Sequence, residues 1–243
     1  MSIKYAIVIP SYGELYALPA FLSELVELIS SDTLVMVCDD SPVGIRHDVE
    51  SLCNEVFAGK QLRLEFNFAD SKTGRGAAVR RGMSQILDNY PSIEFILEAD
   101  SDGSHRAIDV LKVLKFSESN DFVIGSRYLP SSEIVGWPLS RRVFSRILNG
   151  IIPKLFRINV GDVTNGLRRY STHAVKVLLS EPIHNTGFIY LTEQALVLKS
   201  VGISPVEVET KFINRTLGKS TVTYREIYGS LVGIGRLIFS FRR

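Results

Sequence analysis

Cysteine is scarce in this sequence: Cys38 and Cys53 are the two in 243 residues. So few thiols exclude a disulfide scaffold or a four-thiolate zinc site and fit a reducing compartment. Histidine is nearly as rare, at four scattered positions. With no Gly-x-Ser-x-Gly elbow either, a serine-type triad has no support. No basic-plus-apolar leader opens the chain, so a secretion signal is not expected. No apolar run of 18 residues occurs, and the longest candidate, 227–241, is broken by glycines and by Arg236. A membrane-spanning helix is therefore not expected. Strong net charge is missing too, with 28 Lys and Arg against 26 Asp and Glu for a formal +2, and no nucleic-acid partner is expected.

What is present is a globular composition, 45% hydrophobic and 22% charged, in a length that allows one large domain or two small ones. The charges are unevenly placed. Residues 127–169 hold eight Arg and Lys against Glu133 and Asp162, and residues 211–243 hold seven against Glu226. The remainder is correspondingly acidic, so the two halves do different electrostatic jobs.

Strand-like apolar runs at 5–9, 34–38, 62–66, 95–97 and 122–124 alternate with helical patterns at 15–29, 48–57, 76–87 and 107–116. Fully apolar strands separated by helices predict an α/β fold, a mostly parallel sheet covered on both faces. Beyond it, apolar residues at 143, 144, 147, 148, 151, 152, 155 and 156 sweep about 220° of a helical wheel, far wider than the stripe of an ordinary surface helix. Pro153 should kink or break that helix near its end. Helices are expected at 172–179 and 188–199, a strand around 203–212, and an apolar helix over 224–241.

Ligands of such sheets bind beyond the carboxyl ends of the strands, and the acidic residues collect there. The first strand leads into Pro10-Ser11-Tyr12-Gly13-Glu14, the second into Asp39-Asp40, and the fourth into Asp100-Ser101-Asp102-Gly103-Ser104-His105. Carboxylates gathered at one edge repel unless a cation or donors offset them, and oxygen ligands of this kind suit Mg²⁺ or Mn²⁺ completed by diphosphate oxygens. Lys72-Thr73-Gly74-Arg75-Gly76 precedes a helix, where backbone N–H groups can meet an anion or glycines can serve close packing. Val79 stands where a third glycine would complete a dinucleotide fingerprint, and no Gly-Lys-Ser/Thr step follows, so a dehydrogenase or Walker-type ATPase is disfavoured.

These residues taken in order, with Ile124-Gly125-Ser126-Arg127-Tyr128, Gly136-Trp137-Pro138-Leu139-Ser140-Arg141-Arg142-x-x-Ser145-Arg146, Asp162-Val163-Thr164-Asn165-Gly166-Leu167-Arg168-Arg169-Tyr170, Gly187-Phe188-Ile189-Tyr190-Leu191-Thr192-Glu193 and Asn214-Arg215-Thr216-Leu217-Gly218-Lys219-Ser220, resemble a family 2 glycosyltransferase of the GT-A fold, in its polyprenol (dolichol) phosphate mannosyltransferase branch. The resemblance covers nearly the whole chain. It implies a Rossmann-like GT-A domain over 1–223 and a membrane-associated segment over 224–243. Pro10, Tyr12, Glu14, Asp39, Asp40, Lys72, Gly74, Gly76 and Asp100 would then bind the nucleotide sugar. Asp100, Asp102 and Ser104 would approach a divalent cation, Mg²⁺ or Mn²⁺. Arg127, Arg141 or Arg142, and Arg215 would bind the acceptor phosphate and donor diphosphate.

The implied reaction is inverting transfer of mannose or another hexose from a nucleotide-diphosphate sugar to a polyprenyl phosphate, by a cytoplasmic protein peripheral to the inner face of the membrane. A small membrane subunit is a further conceivable partner. Departures include the shortened loop after Asp39-Asp40, Gly13 for Asn, Leu191 for Gln and Thr221 for Lys, so the sugar and the base stay open. Two other readings stand beside it: transfer to an oligosaccharide hydroxyl, with Glu193 as base, and a degenerate module that binds nucleotide sugar without turnover.

Overall fold

The computed structural model describes residues 2–185, 188–214 and 224–241. A seven-stranded sheet forms the centre. Its strands in chain order are β1 (Tyr5–Ser11), β2 (Thr33–Asp39), β3 (Arg63–Phe68), β4 (Phe95–Glu98), β5 (Phe122–Ser126), β7 (Arg168–Ser171) and β8 (Val206–Glu209), and their spatial order is β3-β2-β1-β4-β7-β5-β8. All pairs are parallel except those of β7, which runs antiparallel between β4 and β5. A second, two-stranded parallel sheet joins β6 (Glu133–Val135) to β9 (Lys211–Ile213).

Alternation along each strand feeds two cores. Tyr5, Ile7 and Ile9 of β1 meet α1 (Ala17–Leu25), α2 (Val43–Phe57) and α4 (Ala107–Leu114) on one face. Ala6 and Val8 meet α3 (Arg75–Asn89), α5 (Leu139–Phe156), α6 (Thr172–Ser180), α7 (Phe188–Ser200) and α8 (Tyr224–Phe241) on the other. This is the expected sheet with helices on both faces, since strands buried on two sides must be apolar throughout. Gly82 of α3 lets the helix press on the sheet, because a Cβ there would lie 2.4 Å from Cys38 Sγ.

Several elements depart from the sequence reading. The helix expected at 48–57 begins at Val43, directly after Pro42, whose backbone is set for helix entry. The helix containing Pro153 does not stop there but continues to Phe156, and it ends at Arg157 in the left-handed conformation, φ 53°. The strand expected over 203–212 is two strands, because the chain crosses between sheets at Thr210, whose N–H bonds to Ser126 O. Finally, β6 and β7 escape an apolar pattern altogether.

The 224–241 helix is not a detached tail. Leu237 is buried in the core shared with α7, and Ile234, Ile238 and Phe241 pack against that core.

Candidate active site

The loops leaving β1 and β2 are stitched together. Asp39, buried at the end of β2, accepts from Ser11 Oγ at 3.1 Å and from Ser41 N. Ser41 Oγ in turn accepts from Gly13 N at 2.7 Å. Pro10 sits in the β1 ladder opposite Cys38, and Glu14 lies half-buried in the loop beyond. Tyr12 is half-exposed, and Lys72 Nζ stands 4.0 Å from the centre of its ring, which brings the 70–74 loop over the end of β1.

Asp40 organises that loop from within. Its Oδ2 accepts from Thr73 N (2.6 Å), Thr73 Oγ1 (2.7 Å) and Gly74 N (3.2 Å), and its Oδ1 pairs with Arg81 Nη2 at 2.8 Å. Burial opposes ionisation here, but the Thr73 and Arg81 donors outweigh it and hold the carboxyl below the usual range. Gly74 has φ +88°, where a side chain would be strained. Gly76 serves packing: a Cβ would fall 2.7 Å from the Tyr190 ring. The first turn of α3 is therefore covered by α7 at Gly76.

Arg75, first residue of α3, carries the connection to the third strand end. Its Nη1 pairs with Glu98 Oε2 at 2.7 Å, Nε with Asp100 Oδ1 at 3.0 Å, and Nη2 donates to Gly166 O at 3.0 Å. Glu98 is fully buried and also accepts from Tyr170 Oη at 2.6 Å. His105 Nε2 lies 3.3 Å from Asp100 Oδ2. Burial alone would push the Asp100 carboxyl up, but Arg75 and His105 hold it well below the usual range. Asp102 Oδ1 accepts from Ser104 N at 3.0 Å, and Ser104 Oγ is buried with no hydrogen-bond partner among the described residues.

An all-oxygen donor set with an unsatisfied hydroxyl suits a hard divalent cation. Among the described residues, however, no three His, Cys, Asp or Glu side chains form a ready cage. A ligand's own oxygens would have to complete the shell.

A chain of contacts leads from these carboxylates to the arginines. His105 meets Phe212 edge-on (5.3 Å between centroids), Phe212 meets Trp137 (5.2 Å), and Trp137 lies under both Arg141 (4.1 Å) and Arg127 (5.1 Å). Arg127 is buried and forked onto Asp162, Nε to Oδ2 and Nη2 to Oδ1, both at 2.7 Å. Burial would weaken its proton, but the charge of Asp162, helped at longer range by Asp100, more than compensates. Arg141 also reaches Asn214 Oδ1 at 3.3 Å.

Arg142 is turned away, donating to Ile134 O of β6 at 2.9 Å. Glu193 is buried, and its carboxylate accepts from the backbone N–H groups of His184 and Asn185 and from Asn185 Nδ2. That carboxylate fastens the turn before α7, which leaves it poorly placed to take a proton from an acceptor. Arg215 lies outside the described residues.

Residues 6–179 match the family model described as glycosyl transferase family 2. The chain belongs to that family. Its curated relatives include an undecaprenyl-phosphate mannosyltransferase of Micrococcus luteus, 27% identical over 227 residues, 93% of this chain and 88% of the relative. A polyprenol monophosphomannose synthase of Mycolicibacterium smegmatis is 28% identical over 218 residues, 89% and 80% of the two chains. Among solved structures, glucosyl-3-phosphoglycerate synthase from Mycobacterium tuberculosis, crystallised with Mn²⁺, UDP and glucosyl-3-phosphoglycerate, superposes with a TM-score of 0.65 at 14% identity, over 98% of this chain and 80% of that one. That likeness shows the shared GT-A fold.

For a family 2 glycosyltransferase, the parts hidden from sequence reasoning are the buried polar ones. Glu98, Tyr170, Gln194 and Tyr190 form one hydrogen-bonded line behind Arg75. The signal was a lone carboxylate at the end of an otherwise apolar strand. Arg168 and Arg169, counted in the basic charge of 127–169, are fully buried. Arg168 donates to the carbonyls of Asn165, Leu191 and Val163, and Arg169 to those of Leu114, Phe116, Ser117 and Asn120. They bolt β7 to the helices on either face, so the basic half presents less positive surface than its count implied.

Proposed function

We propose that this glycosyltransferase moves a hexosyl group from a nucleotide-diphosphate sugar to the phosphate of a polyprenyl lipid, with inversion at the anomeric carbon. The observation that carries the reading is the aromatic bridge His105–Phe212–Trp137, which sets the Asp100 and Asp102 loop beside the guanidinium groups of Arg127 and Arg141. A site with carboxylates on one side and guanidinium groups on the other suits a donor diphosphate facing an acceptor phosphate. The curated relatives named above support the acceptor class.

In this reading an acceptor phosphate oxygen attacks the anomeric carbon as the bond to the nucleoside diphosphate breaks. A phosphate monoester is already ionised near neutral pH, so no general base is required, in keeping with the engagement of Glu193. Arg127 and Arg141 orient the acceptor phosphate. The Tyr12–Lys72 stack and the loop held by Asp40 shape the nucleotide side. Asp100, Asp102 and Ser104 are the residues that would hold Mg²⁺ or Mn²⁺. When bound, such a cation neutralises charge developing on the leaving diphosphate.

The acceptor's lipid tail calls for a membrane surface. On α5 the residues Leu139, Val143, Ile147 and Ile151, four apart, form one exposed apolar ridge beside the exposed Arg146, Lys154 and Arg157. Phe239 of α8 is 85% exposed. Among the described residues no helix is long and apolar enough to cross a bilayer. An apolar ridge beside basic side chains suits a protein lying on an anionic leaflet, and we place it at the inner, cytoplasmic face, where a small membrane subunit could also bind.

The test is incubation with vesicles containing a polyprenyl phosphate and a panel of labelled GDP-, UDP- and dTDP-sugars, with Mg²⁺ or Mn²⁺. A labelled lipid that releases its sugar in mild acid is expected. Failure of every donor to label the lipid would overturn the reading.

A further inference from the structure

Thr164 sits at the meeting point of the Arg127 fork and the inner face of α5. It is nine-tenths buried. Its hydroxyl accepts from Arg127 Nη2 at 2.8 Å and from Asn149 Nδ2 at 2.9 Å, and donates to Asp162 Oδ1 at 3.4 Å. A hydroxyl has two acceptor sites and one donor, so every direction it offers is used. Asn149 is the α5 side of this joint: its Oδ1 accepts from Val163 N at 2.9 Å and its Nδ2 also bonds to Ser145 O. Of the Arg127 guanidinium, Nε and Nη2 are occupied by Asp162 and Thr164. Nη1 has no bond to the described residues, which leaves that edge for a ligand.

We infer that Thr164 is a positioning residue for Arg127, setting the plane of the guanidinium so that Nη1 meets the acceptor phosphate, and that Asn149 ties this setting to the seat of α5. The inference rests on the acceptor-binding role proposed for Arg127. Asp162 already supplies the counter-charge and fixes the Nε–Nη2 edge, while the rings of Trp137, Tyr128 and Phe212 flank the guanidinium at 5.1–5.7 Å without a directional bond. The Thr164 hydroxyl brings no charge, so orientation is what it adds. The link to α5 has a mechanical meaning. Pro153 has no N–H to give the Asn149 carbonyl, and at this level the Asn149 side chain ties the helix to Val163 and Thr164. The helix whose outer ridge would rest on the lipid surface is thus joined by two hydrogen bonds to an arginine that would grip the lipid's phosphate.

The experiment compares Thr164→Val, Thr164→Ser and Asn149→Ala in the full chain, with undecaprenyl phosphate in mixed micelles as acceptor. Thr164→Val is expected to raise the acceptor KM about tenfold while the donor KM and kcat change less than about threefold, and Thr164→Ser should restore the wild-type acceptor KM. In an Arg127→Lys background, Thr164→Val should add less than about twofold, because the two act as one unit. Equal rises in donor and acceptor KM, or full additivity, would overturn the inference. Exchange of the Arg127 Nε–H with solvent, followed by ¹⁵N NMR, gives a readout independent of turnover: faster exchange in Thr164→Val supports the clamp and unchanged exchange refutes it. Were the wild-type protein to label no polyprenyl phosphate, the acceptor reading would fall while this exchange still judged the clamp. Should Thr164→Val not fold, Asn149→Ala bears the same KM and exchange expectations at smaller amplitude.

Discussion

Asp162 holds Arg127 with both carboxylate oxygens, and both groups are buried. Its charge therefore cannot be removed without stranding a guanidinium. Asp162→Asn should destabilise the protein by about 3–5 kcal/mol, lowering Tm by about 10 °C for a chain of this size, as thermal denaturation would register. Asp100 has a different signature. Arg75 and His105 depress its pKa from the ordinary value of 3.8, so its contribution to stability is complete above about pH 4 and is lost as pH falls through the lowered folded value. The Tm difference between wild type and Asp100→Asn should accordingly be full at neutral pH and shrink below about pH 4; a difference that grew on acidification would contradict the assignment. At this scale the carboxylates at the strand ends were readable, because only loops at one sheet edge would gather so many. Their partners were not: nothing in the run Phe-Ile-Leu-Glu announces that Glu98 will face Arg75 from 23 residues away.

The elements that were legible were those whose burial follows period. Strands β1, β2 and β4 are apolar on both faces and declared themselves. Strand β7 did not, since Arg168-Arg169-Tyr170-Ser171 reads as surface until the carbonyls that receive its guanidinium groups are placed in space. Helix α5 was legible in part. Its wide apolar arc was correct, but only the fold shows which edge turns inward (Ser145, Asn149, Ile152, Phe156) and which turns out. The outward ridge gives a clean test. Ile147→Glu with Ile151→Glu should weaken flotation with anionic vesicles about tenfold or more, while Tm shifts by no more than about 2 °C because both side chains are half-exposed. Undiminished flotation would remove α5 as the lipid contact.

For the whole molecule, charge neutralisation is divided between the protein's own cations and those it would borrow. Arg81 balances Asp40 and Arg75 balances Glu98 and Asp100, so the carboxylate rim can assemble without an added ion. Chelation with EDTA should then abolish sugar transfer, with recovery on adding Mg²⁺ or Mn²⁺, yet leave the melting curve of the ligand-free protein unchanged. A large loss of Tm on chelation would mean that an ion is structural.

The reversed strand has a consequence for the order in which the protein can be made. Residues 168–171 must slide between β4 and β5, both synthesised earlier. Until they leave the ribosome, two neighbouring strands of the nascent chain each display an unpaired backbone edge, which invites association with other chains. A polypeptide stopped at residue 166 should therefore collect in the insoluble fraction, because the sheet closes only once β7 has left the ribosome.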